Sequence, residues 1–102
     1  MSKILSGVLL VVLISQTASA EQRLPVFDVK PECRAVASVM PVQKCLEDEQ
    51  SARADLEKKW SSFADGDRGH CIREASAGGS PSYVDLLTCL ELARDARQLE
   101  KK

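Results

Sequence analysis

The amino-acid sequence predicts an all-α fold of three to four helices, and three observations support this. Between residues 42 and 63, apolar side chains recur every three or four positions, which is the spacing of one helix face. No run of residues alternates between apolar and polar with the period of two that marks a half-buried strand. Clusters of proline and glycine divide the remaining chain into helix-length segments.

The first 20 residues have the three parts of a secretory signal peptide. Lys3 supplies a positive charge, residues 4–14 form an apolar run, and residues 18–20 read Ala-Ser-Ala. We expect cleavage after Ala20 and export of the remaining chain. The apolar run is shorter than the roughly 20 residues that cross a membrane, and no second run follows, so no membrane span is expected after cleavage.

Export leaves 82 of the 102 residues, with a formal charge of about −2 once Lys3 is removed from the net −1 of the whole chain. A domain of this size has a thin core and commonly needs crosslinks. Its four cysteines are an even number, which predicts two disulfides in an exported protein. A large enzyme and a strongly basic nucleic-acid-binding protein are both disfavoured.

The exported chain is predicted to begin with an irregular arm over residues 21–30, and residues 31–102 are predicted to form the helical domain. Pro31 suits the first turn of a helix, where its missing N–H costs nothing, so a short helix is expected over residues 32–39. Pro41 disfavours helical backbone at Met40 and separates this helix from the next.

The longest helix is predicted over residues 42–63. Its apolar face includes Trp60 and Phe63, which we interpret as core because large aromatic residues dominate small cores. Glu49 interrupts this face. We expect it to lie at the edge of the face rather than in a buried ion pair with Arg34 or Arg73, because burying a charge pair costs desolvation free energy.

Two further helices are predicted after glycine-rich turns. The first covers residues 67–76, with Asp65 or Asp67 as its N-cap. The second covers residues 82–99, and its inner face is widened by side chains such as Leu92. Two N-terminal signals compete for this last helix: Ser80 as N-cap followed by Pro81, and Ser82 in a capping box with Asp85.

The four cysteines allow three pairings, and helix geometry ranks them. In an antiparallel hairpin, residues equidistant from the turn lie at the same height. Cys33 and Cys45 are equidistant from residue 39, and Cys71 and Cys89 from residue 80, so each pair is placed to staple a hairpin. We therefore favour Cys33–Cys45 with Cys71–Cys89. The alternative is Cys45–Cys89 with Cys33–Cys71.

The sequence predicts no catalytic, metal-binding or cofactor-binding residues. His70 is the only histidine and has no orienting carboxylate in a recognisable motif, so we interpret it as structural. Residues 65–67 resemble the start of a calcium-binding loop, but the required glycine and glutamate are missing further along. The protein is therefore not expected to be an enzyme.

The last glycine turn and the helix after it carry a distinctive motif, Gly78-Gly79-Ser80-Pro81-Ser82-Tyr83-Val84-Asp85-Leu86-Leu87-Thr88-Cys89-Leu90-Glu91. With the segment around Cys45, this motif resembles a family of small, uncharacterised exported proteins of rhizobia and related alphaproteobacteria. The resemblance covers about residues 28–96. It implies a location in the Gram-negative periplasm and no known activity.

These features predict an accessory module that binds another periplasmic or envelope protein, with no role for nucleic acid. Apolar side chains expected near the surface make the best candidate contacts: Leu24, Val26 and Phe27 in the arm, with Tyr83 and Val84 at the start of the last helix. The alternative is a structural or stress-protective, chaperone-like protein that exposes apolar surface when acid protonates its carboxylates.

Overall fold

The structure is a computed structural model, and it describes Gly7 and residues 23–101. Within this part of the chain there are four α-helices and no strand, which confirms the predicted all-α class. Apart from Gly7, the predicted signal peptide lies outside the described residues, and its cleavage after Ala20 stays a prediction.

Helix α1 covers Lys30–Ala35 and is shorter than the predicted segment. Pro31 lies in its first turn, as the sequence suggested. Residues 36–39 form a hydrogen-bonded turn instead of continuing the helix, with the N–H groups of Val39 and Met40 both donating to the Val36 carbonyl. Pro41 follows in an extended conformation. The chain therefore reverses direction early, and apolar residues of this turn are left at the surface.

Helix α2 covers Val42–Lys59 and continues as a 3-10 turn over Trp60–Ser62. The predicted end at residue 63 is one residue beyond this combined element, because Phe63 is extended, and its last turn is tighter than an α-helix. The guanidinium of Arg68 donates to the Trp60 carbonyl at 3.0 Å, so this helix end has a partner for one of its free carbonyls.

Helix α3 covers Asp65–Ser76 and begins two residues earlier than predicted. The prediction that Asp65 or Asp67 is the N-cap is wrong, because Ala64 occupies that position and makes no side-chain cap. Both aspartates lie inside the first turn, where negative charge favours the helix dipole. Their carboxylates instead bind arginines: Asp65 accepts from Arg68, and Asp67 accepts from Arg97 of the next helix.

Helix α4 covers Tyr83–Glu100. Ser82 is its N-cap, with the hydroxyl accepting from the Asp85 N–H at 3.2 Å, so the second of the two predicted signals is the one used. Gly79, in the turn before it, has a φ of 79°, a conformation that glycine adopts without the steric cost of a side chain.

The core forms where α4 packs against both α2 and α3. Leu56, Leu86 and Leu90 are fully buried at its centre. Leu92, predicted to widen the inner face of α4, is instead 65% exposed. At 100° per residue it lies about 200° around the helix from Leu90, on the side away from the core.

Two disulfides staple this arrangement. Cys33–Cys45 joins α1 to α2, and Cys71–Cys89 joins α3 to α4, so each closes a helical hairpin. This is the pairing favoured from the hairpin midpoints. All four cysteines are therefore disulfide-bonded.

Candidate docking groove

An open groove of about 350 Å³ lies between the turn after α1 and the N-terminus of α4. We call it the acidic groove. Its lining falls into three groups, which we call the wall, the floor and the rim. The wall is the apolar side chains of Val36, Val39, Met40 and Val84, the floor is the buried residues Cys45, Glu49 and Ser82, and the rim is the more exposed carboxylates of Glu32, Asp48 and Asp85. The volume is at the lower end of the roughly 300–1,000 Å³ of small-molecule pockets and suits one or two side chains.

The floor is organised by Glu49, which is only 3% exposed. One oxygen of its carboxylate accepts from the Ser82 hydroxyl at 2.5 Å, and the other accepts from the Tyr83 N–H at 2.6 Å. The expectation that Glu49 lies at an exposed edge is therefore wrong. It is buried, and its partners are these two groups rather than Arg34 or Arg73.

The position of Glu49 has a clear electrostatic reason. The first N–H groups of a helix lack partners within the helix and carry about half a positive charge between them. Glu49 meets this end of α4 from a different helix, while Ser82 both donates to Glu49 and accepts from the Asp85 N–H. The carboxylate thus extends the N-cap of α4 and holds α2 and α4 in register at the groove.

The apolar wall is fixed by the neighbouring disulfide. Cys33 and Cys45 have a Cα–Cα distance of 5.5 Å, which places the turn after α1 beside α2. Val39 is 83% exposed in this turn, and Val84 is 38% exposed on the facing helix. Apolar side chains grouped at the surface beside polar residues are typical of binding sites.

The rim contains acidic side chains from three helices. Asp48 is paired with Lys44 at 2.8 Å, and this hydrogen bond and charge attraction raise the pKa of Lys44. Glu32 and Asp85 are in no ion pair within residues 23–101. The lining residues include no lysine, arginine or histidine, so every charged residue that lines the groove is an acid.

Three of the five predicted contact residues turn out to belong to an internal contact. Leu24 and Phe27 pack against the core, and Tyr83 is only 3% exposed, so the expectation that Tyr83 lies near the surface is wrong. The Tyr83 hydroxyl accepts from the Phe27 N–H at 2.8 Å and donates to the Pro25 carbonyl at 2.9 Å. The arm therefore closes over this tyrosine.

The other two predicted contact residues are exposed. Val84 lines the acidic groove, whereas Val26 lies on the arm with 83% of its surface exposed. The structure does not bring all five residues into one surface. Sequence reasoning missed Val36, Val39 and Met40, although their helix-like spacing of three and four in a segment with little to pack against was a usable signal.

A second groove, between α3 and α4, has a volume of about 480 Å³ and is lined by His70, Glu74 and Leu92 among others. His70 is exposed there. Across Gly7 and residues 23–101, no group of three or more histidine, cysteine, aspartate or glutamate side chains is placed to hold a metal ion.

Beyond the grooves, one charged contact links α3 to α4. Arg97 donates two hydrogen bonds to the Asp67 carboxylate, at 2.7 and 2.8 Å. These hydrogen bonds, with the attraction of the guanidinium charge, hold the pKa of Asp67 below its ordinary value and raise that of Arg97. Paired N–H donors in this forked geometry fix the orientation of both groups.

No family model, curated protein or solved structure matches this chain. The resemblance to exported alphaproteobacterial proteins therefore stays a prediction. Within the part of the chain that the structure describes, no helix has both the length and the apolarity to cross a membrane.

Proposed function

We propose that this protein is an exported, disulfide-stapled module that binds another protein of the periplasm or cell envelope, and that the acidic groove is its docking surface. The observation that carries this proposal is the exposed apolar wall of the groove, where Val39 and Val84 face solvent beside several carboxylates. Apolar anchors surrounded by polar groups are the usual composition of a protein interface.

Export is supported by the signal-like residues 1–20 and by the two disulfides, since disulfides persist in oxidising compartments. Mass spectrometry of the protein from a periplasmic fraction is expected to find Glu21 as the first residue. A full-length chain retained in the cytoplasm would contradict this part of the proposal.

The groove residues suit binding because of what their side chains do. Valine and methionine gain binding free energy when their apolar surface is buried against a partner, and methionine adapts its shape to different partners. Carboxylates accept hydrogen bonds and attract cations. The disulfide fixes the wall before a partner arrives, which reduces the conformational entropy lost on binding.

Site-specific photo-crosslinking in intact cells tests the docking surface. A photoreactive amino acid at Val39 is expected to give a discrete adduct with a second protein. The matched control places it at Leu99, which is 70% exposed on α4 and does not line the groove. Adduct formation at Val39 is also expected to disappear when Val84→Asp is introduced. Equal adducts at both positions, or none at Val39, would contradict the proposal.

The alternative, a stress-protective chaperone-like protein, predicts a different result from the same exposed valines. Such a protein suppresses aggregation of many unrelated clients at acidic pH and not at neutral pH. A light-scattering assay with a standard client at both pH values separates the two functions. A docking module is expected to suppress aggregation at neither.

A further inference from the structure

We infer that the acidic groove binds a basic peptide segment in which an aliphatic side chain is flanked by lysine or arginine. This inference rests on the proposed function and adds the chemistry of the partner. It depends on three observations: the single sign of charge around the groove, the unpaired carboxylates on its rim, and the size and character of its apolar wall.

The ionisable residues that line the groove carry charge of one sign. Four of its lining residues are carboxylates, Glu32, Asp48, Glu49 and Asp85, and the lining includes no lysine, arginine or histidine. Interfaces of opposite potential associate faster and exclude partners of like charge. A basic partner is therefore favoured, and an acidic one is disfavoured.

Three of the four lining carboxylates have no cationic partner within residues 23–101. Glu49 accepts from two uncharged groups, the Ser82 hydroxyl and the Tyr83 N–H, and the helix dipole offsets only part of its charge. Lys44 engages Asp48 on the rim. No ion pair within residues 23–101 involves the Glu32 or Asp85 carboxylate, so both are available to cations of a partner.

The apolar wall specifies an aliphatic anchor. Val39 and Met40 line the groove from the turn after α1 and Val84 lines it from α4, and the volume of about 350 Å³ accommodates one or two side chains rather than a folded domain. A short peptide segment can insert a leucine-sized side chain against the apolar wall. Basic residues on either side of that leucine then lie over the rim and pair with its carboxylates.

Fluorescence anisotropy with labelled synthetic peptides tests this inference on the oxidised full-length mature chain. The probes are a short peptide of leucine and lysine, the same peptide with glutamate for lysine, and the same peptide with serine for leucine. We expect the leucine–lysine peptide to bind most tightly and to weaken as salt concentration rises. The other two peptides are expected to bind at least about tenfold more weakly.

Matched variants locate the binding. Val39→Ser is expected to weaken the leucine–lysine peptide about tenfold, because one valine no longer contributes apolar contact, whereas Leu99→Ser changes nothing. The double variant Glu32→Gln/Asp85→Asn is expected to weaken binding at low salt and to flatten its salt dependence. Its control is Asp55→Asn, an exposed carboxylate on α2 outside the groove. Circular dichroism of each variant confirms that the fold is retained.

Four results would overturn the inference. The leucine–glutamate peptide could bind as tightly as its basic counterpart, or Leu99→Ser could weaken binding as much as Val39→Ser. The groove could also hold a second copy of the chain, which sedimentation would reveal as a concentration-dependent dimer lost in Val39→Ser. If no peptide binds while Val39 still crosslinks to a partner in cells, the basic-peptide inference fails and the proposed docking function stands.

Discussion

Replacing Glu49 with alanine removes the carboxylate that connects α2 to the N-terminus of α4. Two hydrogen bonds are lost, at 2.5 Å to the Ser82 hydroxyl and 2.6 Å to the Tyr83 N–H. Hydrogen bonds to a charged group contribute about 1.5–3 kcal/mol each, and the loss leaves a buried N–H without its partner. The desolvation free energy of the buried carboxylate offsets part of this. We therefore expect the free energy of unfolding to fall by about 2–4 kcal/mol, working from these values.

Glu49→Gln is the informative companion. The amide oxygen still accepts from the Tyr83 N–H, and the amide nitrogen donates to the Ser82 oxygen, so both hydrogen bonds survive without the charge. This variant is expected to lose only about 1 kcal/mol. Glu47→Ala is the control, because it measures the change in the free energy of unfolding when an exposed glutamate is removed from the same helix.

Urea unfolding followed by circular dichroism, with both disulfides intact, measures the three variants. With a slope near 1 kcal/mol per molar urea, the midpoint of Glu49→Ala is expected to fall by about 2 M or more at an unchanged slope. The reasoning is refuted if Glu49→Ala and Glu47→Ala agree within about 0.5 kcal/mol, the ordinary range of surface substitutions. It is also refuted if glutamine is as damaging as alanine.

Three other predictions follow from contacts within the helical domain. Replacing Cys71 and Cys89 with alanine opens a loop with a sequence separation of 18, which is expected to cost about 3 kcal/mol, and an unchanged thermal melt would contradict this. Asp67→Asn is expected to lower the urea midpoint at neutral pH and to have no effect in strong acid: the folded-state pKa of Asp67 is lowered, so its stabilisation is lost as the pH falls through that pKa. A difference that persists in acid would exclude this cause. Tyr83→Phe is expected to speed hydrogen exchange at the Phe27 amide more than at core amides, and uniform acceleration would argue against a local contact.

The features predicted correctly from the sequence are those that depend on neighbours along the chain. Pro41 has no backbone N–H to donate to a preceding carbonyl, so the break before α2 depends only on this residue and its neighbours. The N-cap hydrogen bond from the Asp85 N–H to the Ser82 hydroxyl joins residues only three positions apart. The disulfide pairing could also be predicted, because each short hairpin brings together residues that are equidistant from its turn.

The errors at Glu49, at Tyr83 and at the acidic groove concern contacts between distant segments. Periodicity identified the face on which Glu49 lies, but its partners come from a helix 33 and 34 residues further along the chain. Tyr83 is covered by an arm whose contacting residues lie 56 and 58 positions earlier in the sequence. Local sequence patterns do not reveal such a contact, so the prediction placed Tyr83 near the surface. The acidic groove was missed for the same reason, since its walls come from the turn after α1 and from the start of α4.

The Cys33–Cys45 disulfide has a consequence for when the groove exists. Helix α1 has six residues, far fewer than the roughly 12–15 that make an isolated helix even marginally stable in water. The crosslink to α2 holds this short segment, and with it the wall formed by Val36 and Val39. A reduced chain lacks this constraint, so we expect the complete groove to form only after oxidation. On the proposed docking function, formation of this one covalent bond would be a maturation step, after which the chain is able to bind its partner.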